Sequence, residues 1–170
     1  MKELLEAIEH DSLVRLRDLL NSKNYDLNSD VIIGAEYDLD EPDEIPLLFY
    51  LIQSGASLEA IELLIEHGMD LHKTTREGLG AIDYAIKYRR KDIVDLCKEN
   101  GISLSTTKRK SGLTPLMLAA SFNDIEMMKY LLENGANAED RDKKGMNALD
   151  YAKKLGQKIA AKFLEELSKK

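Results

Sequence analysis

Apolar residues along the 170-residue chain recur at intervals of three and four, broken every seven to ten positions by polar residues or glycine. In the clearest stretch, Thr114 and Pro115 open an apolar run in which Leu116, Leu118, Ala119 and Ala120 are expected to pack inward. Thr114 suits a helix N-cap, and Pro115 suits the first helical position, where its missing N–H costs nothing. Asn123 and Asp124 interrupt the run, and Ile125, Met128, Leu131 and Leu132 then predict a second helix that Gly135 ends. The paired alanines allow a neighbouring helix to approach closely. Near the chain end, Ile159, Ala160, Phe163, Leu164 and Leu167 form one apolar stripe, with Lys158, Lys162, Glu165, Glu166, Lys169 and Lys170 facing away. A polar outer face of this kind suits the terminal unit of a stacked array, and the helix is expected to end it.

The pattern is periodic on a larger scale. Gly112-Leu113-Thr114-Pro115-Leu116 aligns with Gly145-Met146-Asn147-Ala148-Leu149 at a spacing of 33, and with Gly78-Leu79-Gly80-Ala81-Ile82 at 34. A second marker agrees, because Gly101 and Gly135 each fall 23 residues after Gly78 and Gly112. Gly68, ten residues before Gly78, places another unit upstream that opens at Ile45-Pro46-Leu47-Leu48. A period in this range is the mark of a solenoid.

Residues 109–141, with the Thr-Pro-Leu opening at Thr114 and the closing Leu131-Leu132 before Gly135-Ala136, resemble an ankyrin repeat. Residues 142–170 resemble a C-terminal repeat with Asn147-Ala148-Leu149 in place of Thr-Pro-Leu. Residues 75–108 resemble a third, with Gly80 and Ala81 replacing Thr and Pro, so its first helix is expected to start less firmly. Residues 43–74 are a longer fourth match, and residues 1–28 match only the helical half, ending in Asp26-Leu27-Asn28. The resemblance implies an all-α ankyrin-repeat solenoid of about five stacked helix pairs, forming a single domain over residues 1–170. The segment 29–42 is an acidic insertion, expected to be a surface loop.

Charge sharpens this picture. Residues 1–74 carry 5 Lys and Arg against 17 Asp and Glu, a net of −12, whereas residues 75–170 carry a net of +5 within an overall −7. The stretch from Glu36 to Glu44 holds six acids. The longest apolar run is too short to cross a bilayer, and the first residues lack the basic start and apolar core of a secretory signal. A cytoplasmic protein is expected. Cys97 is the only cysteine, which rules out an internal disulfide, and its register matches the apolar Leu131.

Catalytic chemistry is not legible. His67, Asp70 and His72 are the nearest approach to a metal set, but a loop orients three ligands poorly, so surface histidines are expected, His10 included. Asp83-Tyr84-Ala85 and Asp150-Tyr151-Ala152 read as repeat architecture, and no glycine lies in a phosphate-binding pattern. No enzyme activity, metal, cofactor or small-molecule substrate is expected.

The family resemblance implies a concave binding surface made of hairpin tips and the exposed sides of the first helices. By register this surface takes Leu79, Leu113 and Met146 after each opening glycine, and Tyr88, Phe122 and Leu155 ten places after it. The hairpins add Arg76, then Lys108, Arg109 and Lys110, then Arg141, Lys143 and Lys144 as a basic rim. The expected function is a non-enzymatic scaffold or adaptor that binds a partner protein on repeats three to five. The alternative is an inhibitor or immunity-type protein that contacts a basic partner through the acidic insertion 36–44. Neither nucleic acid, at a pI near 5.1, nor a membrane is an expected partner, and the unbound chain is expected to be a monomer.

Overall fold

The computed structural model describes residues 1–33 and 43–168, and these fall into two compact units, residues 1–73 and 74–170. The acidic stretch from 36 to 42 lies outside the described residues.

In the first unit, α1 (Lys2–Glu9) and α2 (Leu13–Ser22) form a helical pair whose turn places Asp11 at φ 48°. Their inner sides bury Leu4, Ala7 and Leu16. A second pair follows, α3 (Leu47–Ser54) and α4 (Leu58–Glu66). Ser57 starts α4 by accepting a bond from the Ala60 N–H at 3.3 Å, while its own hydroxyl donates to Asp11 at 2.6 Å. Asn28 ties the ends of the two pairs together: its amide donates to the Gly68 carbonyl at 3.0 Å, and its side-chain oxygen accepts from the Asp70 N–H at 2.8 Å.

Between the pairs the structure corrects the loop expected over 29–42 at residues 30–33, which form a strand; residues 34–42 lie outside the described residues. β1 (Asp30–Ile33) and β2 (Asp43–Pro46) pair antiparallel, with Val31 opposite Ile45 and Ile32 opposite Glu44. The β-branched run Val31-Ile32-Ile33 favours this extended form. The side chains alternate as a pleat requires, so Val31 is buried and Ile32 exposed.

The second unit contains three helix pairs: α5 (Ala81–Lys87) with α6 (Lys91–Glu99), α7 (Pro115–Ser121) with α8 (Ile125–Glu133), and α9 (Ala148–Lys154) with α10 (Lys158–Leu167). The first helices lie side by side, α5 on α7 and α7 on α9. Ala85, Ala119 and Ala152 are completely buried, and their small side chains allow this approach. Thr114 caps α7 through the Met117 N–H at 3.3 Å, as its position implies, and Asp124 caps α8 through the Met127 N–H at 3.1 Å. Gly80 has no side chain with which to cap α5, but Asp83 reaches back to accept the Gly80 N–H at 2.8 Å. Asp150 does the same for Asn147 at 3.0 Å. Half of a capping box therefore survives at Gly80, and at Asn147, whose side-chain oxygen also accepts the Asp150 N–H at 2.9 Å, the box is complete.

One packing expectation is revised at α10. Ala160 and Leu164 are buried, but Ile159 is 63% exposed and Leu167 38% exposed. The buried stripe is narrower than the apolar one in sequence.

Candidate protein-docking face

Each first helix of the second unit ends in the same way. Tyr88, Phe122 and Leu155 are the residues that close α5, α7 and α9, and each precedes a left-handed residue: Arg89, Asn123 and Gly156, at φ 55°, 55° and 70°. The chain turns sharply there, leaving the three large side chains 37%, 38% and 52% exposed. Asn123 holds its turn from the next repeat, since its side-chain oxygen accepts the Ala160 N–H at 2.9 Å. Gln157 adds a bond to the Ser121 carbonyl at 2.9 Å.

One helical turn before these residues lies a second row, in which Tyr84 and Tyr151, expected to be repeat architecture, are half-buried, and Leu118, expected to pack inward, is buried in the core. Tyr84 and Tyr88 stack with ring centroids 6.4 Å apart and an interplanar angle of 20°. The Lys87 ammonium sits 5.2 Å from the Tyr88 ring centre, close enough for a cation–π contact. Burial raises the Tyr84 hydroxyl pKa, and the neighbouring Tyr88 and Asp83 add to the rise. The two rows were discoverable as i, i+4 pairs on one helix face.

Leu79, Leu113 and Met146 are half-buried at the bases of the hairpins. Thr75 and Asp142 close two of these hairpins: the Leu79 N–H donates to Thr75 Oγ1 at 3.2 Å and the Met146 N–H to Asp142 Oδ1 at 2.9 Å. Neighbouring tips are joined through the backbone, from the Lys110 N–H to the Glu77 carbonyl and from the Lys143 N–H to the Ser111 carbonyl, each at 3.0 Å. Arg76, Lys110 and Lys143 thus occupy equivalent places on successive tips.

Arg109 departs from the expected rim. Its guanidinium Nε donates to Asp83 Oδ1 at 2.7 Å, and the two side chains are only 15% and 7% exposed. It is a structural tie between repeats and not a rim cation. Arg76, Lys108, Lys110, Lys143 and Lys144 are exposed. Lys110 has a loose, open pair with Glu77 at 3.4 Å, and the other four form no ion pair among the described residues. Arg141 stays exposed, donating to the Gly145 carbonyl at 2.7 Å within its own hairpin and approaching Asp150 at 3.6 Å.

His10, His67 and His72 lie on the surface, and His67 Nδ1 contacts the Leu63 carbonyl at 2.8 Å. Among the described residues no group of three His, Cys, Asp or Glu side chains converges on a metal position. Cys97 is completely buried. A groove of about 430 Å³ beside α8 mixes Arg89, Lys91, Asp124 and Glu126 around Tyr130, whose ring lies 4.6 Å from the Lys91 ammonium. No helix among the described residues is long and apolar enough to cross a membrane.

The stacked first helices, bonded tips and terminal glycines define a helical repeat protein, and sequence comparison identifies the kind. Residues 96–169 match a family model for ankyrin repeats in three copies, and residues 48–96 match one for ankyrin repeats in many copies. The chain belongs to the ankyrin repeat family, and its fold class is the all-α ankyrin solenoid. It is 30% identical over 94 residues to putative ankyrin repeat protein L371 of Acanthamoeba polyphaga mimivirus, covering 55% of this chain and 12% of that protein. It is 33% identical over 88 residues to the B-cell lymphoma 3 protein homolog of Mus musculus, covering 52% and 20%. A 27% identical match over 115 residues to an L-asparaginase of Dirofilaria immitis covers 68% of this chain and 19% of that enzyme. The chain therefore spans a fifth or less of the length of these relatives.

Proposed function

We propose that this chain is a non-enzymatic scaffold or adaptor that binds a partner protein on the exposed side of α5, α7 and α9, between Tyr88, Phe122 and Leu155 and the hairpin tips. Ankyrin repeats are in general protein–protein interaction modules. The observation that supports this face is the return of a large, exposed apolar side chain at one register in three successive repeats. Buried aromatic anchors supply most of the affinity in protein interfaces, while rim charges raise the association rate and select partners. Leu79, Leu113 and Met146 broaden the apolar band, and Arg76, Lys108, Lys110, Lys143 and Lys144 form its rim, which suits a partner segment with acidic flanks. In this reading the protein is cytoplasmic and monomeric when unbound, and it uses neither cofactor, small-molecule substrate, nucleic acid nor membrane.

The density of acids from Glu36 to Glu44 supports a second reading, in which that segment inhibits a basic partner. Two variants separate the readings when a bound partner is recovered from the native cell and titrated with purified protein. Loss of binding in the Tyr88→Ala, Phe122→Ala double variant favours the repeat face; loss on deletion of residues 36–44 favours the acidic segment. Binding that survives the double variant refutes the face.

A further inference from the structure

We propose that the segment this face accepts is an acidic amphipathic α-helix lying across α5, α7 and α9, with apolar residues recurring every seven positions and acids on its flanks. The inference rests on the docking reading above and adds the partner's shape, period and charge.

Spacing argues for the period. Helices in contact pack about 8–10 Å apart, so the residues that close α5, α7 and α9 repeat at roughly that step. Seven residues of α-helix advance about 10.5 Å and return to within about 20° of the same face. Six residues advance about 9 Å but point about 120° away. An extended strand covers about 10 Å in three residues, but its side chains alternate, so every second anchor would leave the surface.

Width and charge argue for the helical form and its acids. Two of the repeats offer a second, half-buried side chain along the same helix, Tyr84 with Tyr88 and Tyr151 with Leu155, whereas Leu118 below Phe122 is buried, so the apolar zone widens into a band on either side of Phe122. A band matches the stripe of an amphipathic helix, which is at least about 100° wide. Lys87 and Lys154 adjoin the exposed row, both exposed, and Arg76, Lys110 and Lys143 repeat along the tips. Residues 75–170 carry a net charge of +5, the sign that complements acids on a partner.

The test uses the full chain and a fluorescent three-heptad peptide with Leu at every seventh position, Glu on the flanks and Ala elsewhere. Controls are an isomer with the Leu residues six apart, a version with a central Pro, and a single-stranded oligonucleotide of equal charge. The heptad peptide is expected to bind, to gain helical circular dichroism on binding, and to lose about tenfold in affinity against Phe122→Ala and against the Lys110→Glu, Lys143→Glu pair. Lys110 and Lys143 are exposed, so the melting curve of that pair should overlay the parent's, and binding to Phe122→Ala, whose ring is 38% exposed, is measured below the onset of its own melt. The helical inference is overturned if the six-spaced or Pro peptide binds equally well, if the heptad peptide does not bind, or if the oligonucleotide binds more tightly. In the first case the docking face itself stands, provided Phe122→Ala still weakens binding. Equal affinity of parent and Phe122→Ala for every peptide overturns the face as well.

Discussion

Arg109 reaches back 26 residues to place its Nε 2.7 Å from Asp83 Oδ1, joining the hairpin of one repeat to the first helix of the repeat before it. Asp83 is 6% exposed and spends its other oxygen on the Gly80 N–H. Removing one member of a buried pair leaves an uncompensated charge, which costs about 3–5 kcal/mol in full burial. The slight exposure here should reduce the loss to about 2–3 kcal/mol for Arg109→Ala. Urea denaturation of Arg109→Ala, Asp83→Asn and the double variant measures the coupling. A loss under about 0.5 kcal/mol for Arg109→Ala, the range of an ordinary surface substitution, would return this arginine to the rim.

Two glycines with similar backbone angles should respond very differently to alanine. Gly78 and Gly135 have φ of 82° and 93°, in the left-handed region, which costs an L-residue about 1–2 kcal/mol. At Gly135 an added Cβ meets nothing within 4 Å, so only that cost applies. At Gly78 it would lie 2.1 Å from the Lys108 carbonyl oxygen, a backbone atom that cannot rotate away. Gly78→Ala should therefore lower stability by at least about 1–2 kcal/mol more than Gly135→Ala, as expected when overpacking is added to backbone strain. Paired thermal or urea melts decide it, and equal losses would mean that the tips are not held as closely as described.

Much of this was legible in the sequence because it follows from local rules. The spacing of Gly78, Gly112 and Gly145 fixes the frame, and Thr114-Pro115 marks a helix start whichever partners surround it. The hairpin β1–β2 was missed because an acid-rich segment without helical period reads as a loop, although Val31-Ile32-Ile33 carried the strand signal. Arg109 was misplaced for a different reason. Its neighbours Lys108 and Lys110 are solvent-facing, and only the tertiary approach of Asp83 separates it from them. Ile159 shows the converse limit, because helical period places a residue on a face without saying how far the neighbouring helix extends over it.

Tyr151 and Asp142 make stability depend on pH at both ends of the scale. The Tyr151 hydroxyl donates to Asp142 Oδ2 at 2.7 Å. This bond, aided by the Met146 and Lys144 N–H groups and the Lys144 charge, holds the Asp142 carboxyl below its ordinary pKa. A carboxyl depressed in the folded state stabilises fully above its unfolded value of about 4, and that stabilisation is lost as pH falls through the folded value. Burial and the same bond push Tyr151 up to about 12, so its contribution holds below about pH 10 and disappears as pH rises toward 12. Asp142→Asn should flatten the acid limb of a stability–pH curve and bring part of the tyrosinate absorbance to lower pH. An unchanged acid limb would show that Asp142 is not depressed by this contact.

Cys97 offers a direct reading of how firmly the second unit is closed. The thiol is completely buried in α6, where desolvation, with the Asp83 charge as a second cause, pushes it up to about 12. Thiolate is the reactive form, and at neutral pH both its concentration and its access are suppressed. Because the chain has one cysteine, every labelling event reports this site. Ellman's reagent should leave the native protein unmodified on the timescale that labels the urea-unfolded chain completely. In the native state the labelling rate should follow the opening equilibrium, so Arg109→Ala, which destabilises the adjoining repeat contact, should speed it. Prompt labelling of the native parent protein would place Cys97 at the surface and contradict the packing of α6 against α5.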